Sequence, residues 1–101
     1  MRGDSMTPTL RPGDRVLVDY RRTPRAGDVV TARFPDGTLV VKRVQEHRSL
    51  GDEPGWFLLS DNPDASGAMD SRHRGPVREV DVLGVVRLRW WPRPGPIAPS
   101  I

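Results

Sequence analysis

Thr38-Leu39-Val40-Val41-Lys42-Arg43-Val44 is the stretch that decides the fold. Its three valines, with a leucine and a threonine, favour a pleated, extended backbone. Successive side chains then point to opposite faces, so Val40, Lys42 and Val44 share one face and Leu39, Val41 and Arg43 share the other. Lys42 is the sole lysine among sixteen Lys and Arg residues. A guanidinium effectively never loses its proton, whereas an ammonium desolvated among apolar neighbours is pushed toward the neutral amine. The stretch therefore predicts a strand whose lysine is a candidate general base. An edge strand, with the ammonium reaching solvent past the valines, is the plainer alternative.

Working outward, Pro35-Asp36-Gly37 is a compact hairpin turn between strands over 29–34 and 38–45. Short alternating runs predict further strands over 15–19, 56–59 and 82–91. In the last of these Leu83, Val85, Arg87 and Arg89 fall on one side, and Val86, Leu88 and Trp90 on the other. The first twelve residues are broken by Thr7-Pro8 and Arg11-Pro12 and form a loop with at most a short helical turn. The seventeen residues 60–76 form a polar connection longer than a compact domain tolerates without a function. Asp61-Asn62-Pro63 and Asp70-Ser71-Arg72 within it offer side chains that bond nearby backbone. The expected fold is mainly β, a single small domain of short antiparallel strands with no long helix. Residues 1–91 form its core, and 92–101, with four prolines, an extended Pro-rich tail.

Composition narrows the chemistry. Eleven prolines, ten glycines and only 36% hydrophobic residues suit short strands joined by many turns. The chain has no cysteine, which excludes disulfides, thiolate metal sites and cysteine nucleophiles. His47 and His73 lie in polar, Arg-rich surroundings without ligand spacing and are expected at the surface. No metal and no cofactor are expected. The net charge is +3, but aspartates accompany most of the arginines and no basic cluster is interleaved with aromatics. No nucleic-acid partner is therefore expected. No stretch approaches the roughly 18 apolar residues that span a bilayer.

Near the amino end stands Gly3-Asp4-Ser5-Met6-Thr7-Pro8-Thr9-Leu10, followed by Gly13-Asp14-Arg15-Val16-Leu17-Val18. A serine hydroxyl is a weak nucleophile until an adjacent base takes its proton. Neither histidine is placed as that base, which leaves Lys42, and a Ser–Lys pair is a known variant of the serine-hydrolase arrangement. The plainer reading makes Ser5 a polar residue in a frayed terminus.

Together these motifs resemble type I signal peptidases and their relatives. The segment from Gly3 to Leu10 with Gly13-Asp14 is similar to their nucleophile box. Gly27-Asp28-Val29-Val30, leading to Val40-Val41-Lys42-Arg43-Val44, resembles the box that holds their catalytic lysine. Leu59-Ser60-Asp61-Asn62, then Asp70-Ser71-Arg72 with Gly75-Pro76-Val77, resembles the third box, and Gly84 fits the usual ending. The boxes occur in order over 3–91, nearly the whole chain. The short length and the ending Leu88-Arg89-Trp90-Trp91-Pro92 also resemble the small peptidases that mature nickel-containing superoxide dismutase.

The resemblance implies a signal-peptidase-like catalytic core and a serine endopeptidase that removes a leader or propeptide by cutting after small residues. It makes Ser5 the nucleophile and Lys42 the general base. The backbone N–H of Ser5 would help bind the oxyanion, Met6 would pack beside the nucleophile, and Asp70 and Arg72 would brace the loop behind the lysine as an ion pair. The implied partner is a protein precursor, and membrane association is expected only through a segment absent from this chain.

Several positions depart from the family pattern. Gly3 stands where some members supply a serine hydroxyl to the oxyanion, and so offers backbone only. Ala68 stands where many place the serine that orients the lysine, and Ser66 would serve only if its loop bulged by two residues. Ser60 replaces the usual glycine before Asp-Asn. Only four residues precede Ser5, which reads as a clipped amino end. These departures keep two alternatives open: the self-cleaving sensory domain of a repressor-type Ser–Lys protein, and a catalytically inactive β-module that binds peptide.

Overall fold

A computed structural model of the chain describes residues 6, 9–10, 13–62, 70–91 and 95–97. Its strands are β1 (Arg15–Asp19), β2 (Val29–Arg33), β3 (Leu39–His47), β4 (Gly55–Leu59), β5 (Val77–Arg78), β6 (Val82–Trp91) and β7 (Gly95–Pro96). One helical turn, α1 (Ser71–Arg74), and one 3-10 turn (Glu79–Asp81) precede and follow β5. Six strands form one antiparallel sheet in the order β1-β6-β2-β3-β4-β5, and the two-residue β7 pairs with β6. The fold is mainly β, as the alternating runs predict. Among the described residues no helix is long and apolar enough to cross a membrane.

The strand that carries Lys42 is interior, with β2 on one side and β4 on the other. Its register on β2 sets Lys42 opposite Val30 and Val40 opposite Ala32. The hairpin turn holds that register. Phe34 N–H donates to the Thr38 carbonyl (2.9 Å) and Gly37 N–H to the Phe34 carbonyl (2.8 Å). Asp36 Oδ1 accepts from Thr38 N–H (2.9 Å), and Gly37 takes φ +89°, a left-handed conformation that glycine adopts without steric cost.

Each face of the sheet buries its own cluster. Val30, Ala32, Phe34, Val44, Leu58 and Val85 pack with Trp56 and Val77 on the face shared by Val40. Met6, Leu10, Val29 and Val86 form the other cluster, with Val16, Val18, Val41 and Ile97 against it. The period-2 pattern of β3 is thus kept, with Val40 and Val44 to one side and Val41 to the other. Strict alternation fails at the start of β6. The register shifts between Thr31↔Gly84 and Ala32↔Val82, a bulge that places Val82 against the same cluster as Val85 and leaves Leu83 exposed. Gly84 sits at a close crossing: a Cβ there would come within 2.6 Å of Val18 Cγ1 and 3.1 Å of the Asp19 carbonyl.

Candidate active site

Lys42 emerges from β3 between Val40 and Val44, with Val30 across on β2 and only 4% of its surface exposed. On the β4 side, Arg43 pairs with Leu59 and Val44 with Leu58. Continuing that register by one residue sets Ser60 opposite Lys42. The side chains meet there: Lys42 Nζ donates to Ser60 Oγ at 2.9 Å. Burial pushes the Lys42 amine below its ordinary pKa, and the nearby Asp70 carboxylate pulls it part of the way back. The amine is thus flanked by Val30, Val40 and Val44 and held by one hydroxyl. Desolvation of this kind favours the neutral amine over the ammonium.

Behind Ser60 lies a wholly buried carboxylate, Asp70, at the N-cap of α1. Its Oδ2 accepts from Ser60 N–H (2.8 Å) and from Arg72 Nη2 (2.8 Å). Its Oδ1 accepts from Arg72 N–H (3.0 Å) and Nε (3.1 Å). The neighbouring Ser71 Oγ accepts from Leu58 N–H at 2.8 Å, so α1 is fastened to the end of β4 at two points. Burial alone would raise the Asp70 pKa. The Arg72 side chain, the Ser60 and Arg72 amides and the Arg72 charge outweigh it and bring the group from 3.8 to about 2. An unfolded chain takes up a proton here before the folded one does. The stability that ionised Asp70 contributes is therefore complete above its unfolded pKa of 3.8 and is lost as the pH falls to about 2. Urea unfolding of the wild type and Asp70→Asn, followed from neutral pH downward, should show their difference shrink across that window. A difference that stays constant would mean Asp70 is not the titrating anchor.

On the opposite face, the next residue of β3 builds a second anchor. The Arg43 side chain is 6% exposed, with Nε 3.1 Å from Asp61 Oδ1 and Nη2 2.7 Å from Asp61 Oδ2. Its Nη1 donates to the Gly27 carbonyl (2.7 Å), and Nη2 also reaches Thr9 Oγ1 (3.1 Å). Thr9 in turn donates to Asp61 Oδ2. Leu10 N–H donates to the Met6 carbonyl (2.9 Å), and both side chains are wholly buried in the cluster on this face. The segment that follows Ser5 is therefore tied to β3 through Arg43. Two consecutive residues after β4, Ser60 and Asp61, hold two consecutive residues of β3, one on each face.

Of the site residues expected from sequence, Lys42, Asp70 and Arg72 come together, linked through Ser60. Met6 is buried on the face opposite Val40 and Val44. Gly3, Ser5 and Ser66 lie outside the described residues. From sequence alone Ser60 is only a departure, Asp61 a loop residue that bonds nearby backbone, and Arg43 a neighbour of the lysine with no partner assigned. The signal for Ser60 was present in the continuation of Trp56 and Leu58 by one more step of two. His47 lies exposed on β3, its ring edge-on to Trp56 at 5.0 Å.

The comparisons with known proteins agree with this geometry at the level of family. No curated protein and no solved structure matches the chain. The family model described as Peptidase S24-like matches residues 1–87, which includes both anchors and the strand that bears the lysine. The chain belongs to the Peptidase S24-like family of Ser–Lys peptidases and related self-cleaving domains.

Proposed function

We propose that this chain is a serine endopeptidase that removes a leader or propeptide from a protein precursor. Ser5 is its nucleophile and Lys42 its general base. The observation that carries the reading is the sole lysine of a Peptidase S24-like chain, buried on an apolar face with its amine fixed by a hydroxyl. In this mechanism the neutral amine takes the Ser5 proton as the hydroxyl attacks the scissile carbonyl. The ammonium so formed gives that proton to the leaving amine, and the freed base then activates water against the acyl-enzyme. The Ser5 backbone N–H stabilises the oxyanion, a contribution that often exceeds the others in acyl transfer.

A peptide library digested by the full chain and read by mass spectrometry tests the proposal. Cuts are expected with small residues one and three positions before the scissile bond, and none with Lys42→Ala. By the resemblance of the chain end, the leader of a nickel-containing superoxide dismutase precursor is the first natural substrate to assay. Cleavage after arginine, lysine or aromatic residues would overturn the specificity. A chain that cuts only itself would move the reading to the self-cleaving repressor type.

A further inference from the structure

We infer that Ser60 is the positioning residue for the Lys42 amine. The inference deepens the proposed Ser–Lys mechanism and rests on it for its consequence in catalysis. Three observations carry it. Lys42 Nζ donates to Ser60 Oγ at 2.9 Å, and Ser60 is itself 7% exposed. The backbone of Ser60 is fixed from behind, its N–H donating to Asp70 Oδ2 at 2.8 Å. Asp70 is in turn wholly buried and held by Arg72 at 2.8 Å. The hydroxyl that meets the lysine therefore stands on an anchored backbone.

What this does chemically follows from the shape of an amine. A neutral Lys42 carries two N–H bonds and one lone pair, and only the lone pair takes a proton. Free rotation about the last C–N bond would spread the lone pair over many directions. One N–H committed to Ser60 Oγ restricts that rotation and leaves the lone pair for the nucleophile. Ser60 neither gains nor loses a proton in the step. The same bond also bears on charge: an acceptor on the ammonium favours the protonated form and opposes the effect of burial. Losing the hydroxyl should thus misorient the amine and lower its pKa further. A side chain that merely fills space at position 60 would do neither.

Lys42 is the only lysine in the chain, so protein labelled with isotopic lysine gives one side-chain signal to titrate. Wild type, Ser60→Ala and Ser60→Thr are to be compared by that titration and by peptide cleavage. The Lys42 pKa should fall in Ser60→Ala and return in Ser60→Thr. In cleavage, Ser60→Ala should lose about 10²-fold in kcat with KM little changed, the scale of a small misplacement of reacting groups. Ser60→Thr should recover most of that loss. If Ser60→Ala fails to fold, Ser60→Val against Ser60→Thr repeats the comparison at near-equal volume with only the hydroxyl exchanged. An identical Lys42 titration with and without the hydroxyl overturns the inference, whatever happens to kcat. A wild type that cuts nothing while its lysine still shifts on loss of the hydroxyl upholds the coupling and sinks the peptidase reading instead.

Discussion

Lys42→Arg is expected to abolish peptide cleavage as completely as Lys42→Ala does. Arginine keeps the positive charge and most of the length, so a role for Lys42 in electrostatics or packing would leave substantial activity. A general base must lose its proton to work, and a guanidinium stays protonated at any usable pH. General acid–base assistance is worth about 10²–10⁴ in rate. The guanidinium must also enter a space bounded by Val30, Val40 and Val44 with Ser60 Oγ on the open side. Single-turnover cleavage of one sensitive peptide by the two variants, folded to the same extent, measures the effect. Appreciable turnover by Lys42→Arg would remove Lys42 from the role of base.

The largest expected effect on stability belongs to Asp61→Ala. Asp61 and Arg43 have side chains only 14% and 6% exposed and meet at 2.7 Å. Removing one member of a buried ion pair takes from the other the charge it is matched to, at a cost of up to about 3–5 kcal/mol. That is a large share of the roughly 5–15 kcal/mol that holds a domain together. The Gly27 carbonyl and Thr9 hydroxyl still accept from Arg43, but neither carries the missing charge. Replacing both partners, as Arg43→Met with Asp61→Leu, should recover much of the loss, because apolar side chains of similar volume carry no desolvation penalty. Urea unfolding of the single and double variants forms the cycle that isolates the pair. A loss below about 1 kcal/mol for Asp61→Ala would place the pair with ordinary surface salt bridges.

How far the sequence is legible depends on how long each pattern runs. β1, β2, β3, β4 and β6 each hold five residues or more, enough for alternation to show, and they fall within two residues of the expected positions. β5 and β7 have two residues apiece and α1 has four, too few to display either period; α1 falls within the expected connection and β7 within the expected tail, while β5 falls between that connection and the last strand, where no element is expected. The face that bears Lys42 was legible because Val40 and Val44 mark it. The role of Ser60 was hidden by its neighbours, since a serine before Asp-Asn has the composition of a turn. Arg43 was placed on the correct face but not given its partners. Thr9, Gly27 and Asp61 stand 34, 16 and 18 positions away, and no local pattern connects them. Long-range polar pairs are decided by the sheet order, which short-range periodicity does not contain.

The order of Lys42 and Arg43 along β3 makes the site a matter of parity. Each cation has its own face, and on that face its own partner from the consecutive pair Ser60 and Asp61. A deletion or insertion of one residue within the strand would not shift this arrangement slightly; it would invert it. The guanidinium would then enter the valine face beside the hydroxyl, and the amine would turn toward the carboxylate and stay charged. Substitution can proceed through such a strand one side chain at a time, but a one-residue change of length must be absorbed by a bulge, as β3 has between Val44 and Glu46, outside the span that sets Lys42 and Arg43 against their partners. Descent in this lineage should therefore leave its length variation in the connections that flank β3 and β4 or at that bulge, and keep the count of residues from Leu39 to Val44 and from Leu58 to Asp61.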